Sequence, residues 1–234
     1  MKILELFPLT VFCQPIGFPS PEGHPEDQKN SWVQHILKMR EASDPPRSEI
    51  SAWTGDVKGH EFIHKEPTFE PLFESIATGV ETYLQQMGLD FTQLNLYFTR
   101  SWAVVAYKNE RVNRHAHLQS HLSVAYYVQK PQEGGRLAFF NSGPPNEFVP
   151  GLFESRMGSL FTGPRSPANS ANTIVDVEEG DMVIFPSKTV HATEPHQSET
   201  PRISISADIV ITLKESMNHE FLLPDFSHWK KMNA

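Results

Sequence analysis

Between residues 94 and 213 the chain abandons helical spacing. Its apolar residues fall into short runs of β-branched and aromatic side chains, several at period two. LNLYFTRSWAVVAY (94–107), HLSVAYYVQ (121–129), RLAFFN (136–141), TIVDVEEGDMVIFP (173–186) and ISISADIVITL (203–213) all suit a pleated backbone with one face buried. Turn residues separate them: Lys108-Asn109-Glu110, Pro131 with Gly134-Gly135, and Glu179-Gly180. Short strands with turns at this spacing, about seven or eight in all, predict an antiparallel sandwich or barrel and leave no room for a parallel α/β sheet.

The helices come earlier. Leu72, Phe73, Ile76, Val80, Tyr83, Leu84 and Met87 recur at three- and four-residue intervals, which predicts a helix over 68–87 that lays its apolar stripe on the sheet. Gly88 follows, where a left-handed cap is expected. Ser31 with Gln34 reads as a capping box and predicts a second helix over 31–42, ended by Asp44-Pro45-Pro46. A short strand is expected over 3–12, a Pro/Gly-rich loop over 14–28, and an irregular covering segment from Arg47 to His64. Residues 141–172 read as a long loop whose Phe148, Leu152, Phe153, Leu160 and Phe161 favour a lid or cover. No internal repeat is found. We expect one domain: a strand and helical cover over 1–93, a β core over 94–213 and a tail over 214–234.

Charge and cysteine content narrow the function classes. The formal net charge is -8, without clustered Lys or Arg, so nucleic acid is not an expected partner. Cys13 is the single cysteine, which excludes an internal disulfide and fits a reducing, cytoplasmic compartment. The apolar N-terminal run is interrupted by Glu5, Pro8 and Gln14 and lacks a signal-peptide layout, and a membrane partner is not expected.

Chemistry concentrates in two stretches. In NRHAHLQSHLSVAYYV (113–128), His115 and His117 stand two apart and share one face of an extended backbone, with Ser123, Ala125 and Tyr127 on the same parity. In DMVIFPSKTVHATEPHQSETPRISISADI (181–209), His191 follows a short apolar strand. Imidazoles from separate strands converging inside a barrel would hold iron, zinc, copper or nickel. Eleven residues beyond His191, Arg202 and Ser204 share a strand face. A guanidinium in a barrel interior needs an anion, and a bidentate carboxylate is its natural match, with Ser204 and Tyr127 supplying hydroxyls.

These residues, in this order, resemble the Fe(II)/2-oxoglutarate-dependent oxygenase superfamily, and most of all its bacterial and phage branch. The resemblance runs through Trp102-Ala103, His115-Ala116-His117, Ser123-Val124-Ala125-Tyr126-Tyr127, Gly134-Gly135, Gly180-Asp181, Phe185-Pro186-Ser187, His191 and Arg202-Ile203-Ser204. It covers about residues 50–210, including SAWTGDVKGH at 51–60. It implies a mainly β fold with flanking helices, a double-stranded β-helix (jelly roll, cupin-like). It also implies Fe(II) as metal, with 2-oxoglutarate and O2 as cosubstrates. His115, His117 and His191 would be the metal ligands; Arg202, Ser204, Tyr127 and Ser123 would bind 2-oxoglutarate. The implied reaction is hydroxylation of a small-molecule or peptide substrate with release of succinate and CO2.

At one position the chain departs from the superfamily, which carries His-x-Asp or His-x-Glu where His117 stands. His121 is the other candidate third ligand. A non-catalytic, cupin-like protein that binds a metal and a carboxylate is the competing reading, with a zinc hydrolase or isomerase as a third. The identity of the substrate and a homodimeric state are left open.

Overall fold

The computed structural model describes residues 2, 6–43, 50–141, 143, 146–153 and 161–233. Two antiparallel sheets face each other, with two helices on the outer side of the larger one. The strands are β1 (Phe12–Pro15), β2 (Trp53–Thr54), β3 (Leu94–Ala106), β4 (Leu122–Gln129) and β5 (Leu137–Phe140). They continue with β6 (Asn172–Val175), β7 (Asp181–Pro186), β8 (His191–Thr193), β9 (Arg202–Leu213) and β10 (Leu223–Pro224). The larger sheet runs β1-β7-β4-β9-β3-β2, with β10 parallel to β9 at the far end, and the smaller runs β6-β5-β8. This is the double-stranded β-helix expected from the sequence, mainly β with flanking helices.

Helix α1 (Pro25–Ala42) and helix α2 (Glu70–Gln86) cover the outer face of the larger sheet. Trp32, Ile36, Leu72, Ile76 and Val80 pack there with Val124, Tyr126, Met182, Ile184 and the alternate β9 residues Ile203, Ile205, Ala207, Ile209 and Ile211. Burial of each such Leu or Ile contributes roughly 1.5–3 kcal/mol. The Trp32 indole donates to the Thr68 carbonyl (2.8 Å) and ties α1 to the turn that leads into α2. A second, smaller core lies between the sheets, where Tyr127, Val183 and Phe185 meet Leu137 and Phe139.

Helix α2 ends with Gly88 at φ 78°, as its position in the sequence implied. Helix α1 begins six residues before the predicted start. Pro25 occupies the first turn with Glu26 and Asp27, a favourable start for both its fixed φ and the helix dipole, and Ser31 lies within the helix. The predicted strand over 3–12 is found only from Phe12, where pairing with β7 begins at Ile184; residues 3–5 lie outside the described residues. So do Asp44-Pro45-Pro46 and Leu160. The tail is anchored: Asp225 accepts from the Asn95 amide (2.6 Å) and the Tyr97 hydroxyl (2.9 Å).

Strand β3 carries a bulge that matters for the interior. Phe98 pairs with Ile209 and Arg100 with Asp208, so Thr99 is an extra residue. Before it, Leu94, Leu96 and Phe98 pack toward the helices; after it, Ala103 and Val105 do. The bulge therefore turns Arg100, Trp102 and Val104 to the inner face, where they line the cavity between the sheets.

Candidate metal centre

The segment 113–119 is extended because it is pinned on both sides. His115 and His191 exchange both backbone hydrogen bonds (3.0 and 2.9 Å), and the His117 N–H donates to the Ser187 carbonyl (2.9 Å). Two residues apart on an extended backbone, His115 and His117 project to one side, and β8 brings His191 against them. The ring centroids lie 5.0 Å apart for His115 and His117, 4.3 Å for His115 and His191, and 5.3 Å for His117 and His191. One nitrogen from each ring falls within 4.8 Å of the others, and the Nε2 atoms of His115 and His117 are 3.0 Å apart.

The opposite nitrogens reveal the tautomers. His115 Nδ1 lies 2.8 Å from the Asn113 carbonyl, and His191 Nδ1 lies 2.9 Å from the Thr189 carbonyl. A carbonyl only accepts, so Nδ1 carries the proton and Nε2 presents a lone pair. His117 Nδ1 meets the Asp208 carboxylate at 2.6 Å. Burial pushes His191 down to about 4 and lowers His115, which keeps both rings neutral at physiological pH. Three imidazoles with one nitrogen each turned to a common point fit a divalent transition metal such as Fe(II).

These rings line a cavity of about 380 Å3, within the usual size of a small-ligand site. Its walls include Thr54, Asp56, Arg100, Trp102, Tyr127 and Ser204. A larger cavity, about 680 Å3, opens between Arg114, Phe140, Phe153 and Arg165, but none of the three imidazoles lines it.

Arg202 is 1% exposed. Its guanidinium donates to the Gly135 carbonyl (2.8 Å) and the Thr193 hydroxyl (3.0 Å), and its Nε has no partner. Among the described residues no carboxylate pairs with it. An uncompensated buried cation is costly, so the arrangement fits an incoming carboxylate. A side chain at position 135 would crowd out this contact, because a Cβ there would lie 1.9 Å from the Glu194 carbonyl oxygen. Tyr127 stands close enough to feel the guanidinium; burial still pushes its phenol up to about 12.

The structure brings His115, His117 and His191 together and leaves His121 outside. The His121 Nδ1 accepts from the Ile211 N–H (2.9 Å) and serves the sheet. Tyr127 lies opposite Ser204 in the register of β4 and β9, whereas Ser123 lies opposite Asp208, at the imidazole end of the cavity. Ser123 accordingly donates to Asp208 (3.3 Å) and meets Ser187 (2.9 Å) rather than lying beside Arg202. Sequence reasoning missed Asp208. The signal was present, since Asp208 continues the alternate positions Arg202, Ser204 and Ser206. Arg100 and Asp56, which fall in stretches expected to shape the substrate pocket, pair at 2.9 Å in the cavity wall.

Residues 100–208 match the family described as "Putative 2OG-Fe(II) oxygenase". No curated protein matches the chain. Among solved structures, the chain is similar to the non-heme alpha ketoglutarate dependent epimerase SnoN from nogalamycin biosynthesis. They share 14% identity over 88% of this chain and 80% of that one, with a TM-score of 0.55. It is also similar to a Pseudomonas putida prolyl-4-hydroxylase, at 13% identity over 86% and 92% of the two chains, with a TM-score of 0.51. At these identities the likeness is one of fold. The chain spans 58% of the length of a Burkholderia pseudomallei oxidoreductase of the 2OG-Fe(II) oxygenase family, which covers 62% of this chain at 11% identity and a TM-score of 0.43.

Proposed function

We propose that this chain, whose residues 100–208 match the 2OG-Fe(II) oxygenase family, is an Fe(II)- and 2-oxoglutarate-dependent dioxygenase. It would hydroxylate a small-molecule or peptide substrate with release of succinate and CO2. One observation carries this reading: three converging imidazoles line a cavity whose wall includes Thr193, and the buried guanidinium that donates to Thr193 has no carboxylate partner among the described residues.

His115, His117 and His191 hold the metal through nitrogens whose ring partners already fix their orientation. Arg202 takes the far carboxylate of 2-oxoglutarate, with the Thr193 hydroxyl already bound to the guanidinium, and Tyr127 and Ser204 beside that end. When bound, the metal supplies the redox chemistry that couples cosubstrate decarboxylation to oxygen insertion into a C–H bond. Phe185, Leu137 and Tyr127 exclude water from the cosubstrate. Thr54, Asp56, Arg100 and Trp102 form the wall against which the prime substrate is oriented. A reducing, cytoplasmic compartment is part of the reading and is supported by the single cysteine. No helix among the described residues is long and apolar enough to cross a membrane.

The test is anaerobic addition of Fe(II) and then 2-oxoglutarate, followed by admission of air. A weak visible charge-transfer band and then succinate release are the expected results. Binding of both without succinate in the presence of candidate substrates would make the protein a cupin-like binder. Binding of neither would end the reading.

A further inference from the structure

We propose that Asp208 is the charge-balancing partner of the metal centre and that it acts through His117. This rests on the reading of His115, His117 and His191 as metal ligands. The three imidazoles are not equivalent behind the site. Two lean on backbone carbonyls, which carry only a partial charge. The third leans on a carboxylate, Asp208, at 2.6 Å.

Asp208 is fully buried. Its remaining contacts are neutral donors: the Ser123 hydroxyl on the same oxygen (3.3 Å) and the Gln119 amide on the other (3.1 Å). Among the described residues it forms no ion pair with Lys or Arg. Its cross-strand neighbour Arg100 turns its guanidinium to Asp56 instead, at 2.9 Å. A carboxylate in such a place needs a positive partner. A divalent ion on the far side of the His117 ring is that partner, coupled through the imidazole. Conversely, three neutral imidazoles would leave the whole double charge of the ion without a counter-charge from its protein ligands. Asp208 offsets half of it without occupying a coordination position. The Trp102 ring, 5.5 Å from that of His117, helps to hold the imidazole in line.

Asp208 is thus a positioning residue whose effect is electrostatic as well as geometric. Asp208→Asn separates the two effects. The asparagine oxygen still accepts from His117, the Gln119 amide can turn to face the new NH2, and only the charge is lost. Co(II) and Ni(II) binding, followed by calorimetry and by ligand-field absorption, should weaken about 10–100-fold in this variant. The Fe(III)/Fe(II) potential should move in the positive direction. Gln119→Ala, which keeps the charge, should retain most of the affinity. In the Zn(II)-loaded parent, the His117 Nδ1 proton should resonate far downfield, a measurement that does not depend on how any variant folds.

Unchanged metal affinity and potential in Asp208→Asn, or an ordinary resonance position for that proton, would overturn this assignment while leaving the metal site standing. A parent that binds no Co(II), or whose binding is indifferent to His115→Ala, would remove both the assignment and the reading beneath it.

Discussion

The two faces of β9 are both buried, yet they do opposite work. On one face Ile203, Ile205, Ala207, Ile209 and Ile211 press against the helical layer. On the other, Arg202, Ser204, Ser206 and Asp208 run along the interior, with a guanidinium at one end and a carboxylate at the other. At about 3.3 Å per residue, the ends of that polar row stand about 20 Å apart. The apolar face contributes stability through area removed from water. The polar face gains little of that kind and retains groups whose partners are incomplete in the protein alone, such as the Arg202 Nε. A strand can carry both because its side-chain period is two. Neither face can be moved without moving the other.

That contrast can be attacked from each side. The largest effect is expected from Arg202→Met, which removes the cation and leaves apolar volume. Affinity for 2-oxoglutarate should fall by about 2–5 kcal/mol while metal affinity stays near that of the parent; calorimetric titration of each ligand checks this. Equal loss of both would erase the distinction between the two ends of the row. Ile205→Ala addresses the opposite face. Unfolding free energy should drop by about 2–5 kcal/mol in a denaturant titration, with the affinity of the remaining folded protein for both ligands unchanged.

A third test uses pH. Burial holds His191 down to about 4, so between that value and the ordinary histidine range an unfolded chain binds a proton that the folded chain refuses. The metal-free protein should therefore lose stability as pH falls from about 6.5 to about 4, by about 3 kcal/mol in total. His191→Gln should flatten that slope in the same denaturant series. Ser204→Ala should have the smallest effect, lowering 2-oxoglutarate affinity by about 1 kcal/mol. A larger loss would mean that the hydroxyl carries more of the carboxylate contact than the guanidinium geometry suggests.

What was legible in the sequence follows the same division. The apolar alternation of β9 and the runs of β3, β4 and β7 stand out because burial writes a pattern into the residues. Strand β8 is three residues long and polar at both ends, His191 to Thr193, so it leaves no periodic trace. Its existence depends on partners, β5 and the backbone of His115, that lie far off in the chain. The start of α1 was misjudged because proline reads as a loop former in isolation, although in the first turn of a helix it is a favourable choice. The histidine pair and Arg202 were legible as chemistry because apolar strands flank them. Asp208 was not: aspartate is a poor strand former, and only parity with Arg202 marks it as interior.

The bulge at Thr99 has a consequence for how such a cavity could be re-equipped. The residues that follow it face inward only because one residue is unpaired. Were Thr99 instead paired in regular alternation, Arg100 and Trp102 would turn toward the helices and the small side chains Ser101 and Ala103 would face the cavity. Gaining or losing the bulge, with every residue kept, would thus exchange a whole wall of the binding chamber at once, something that many separate substitutions would otherwise be needed to achieve.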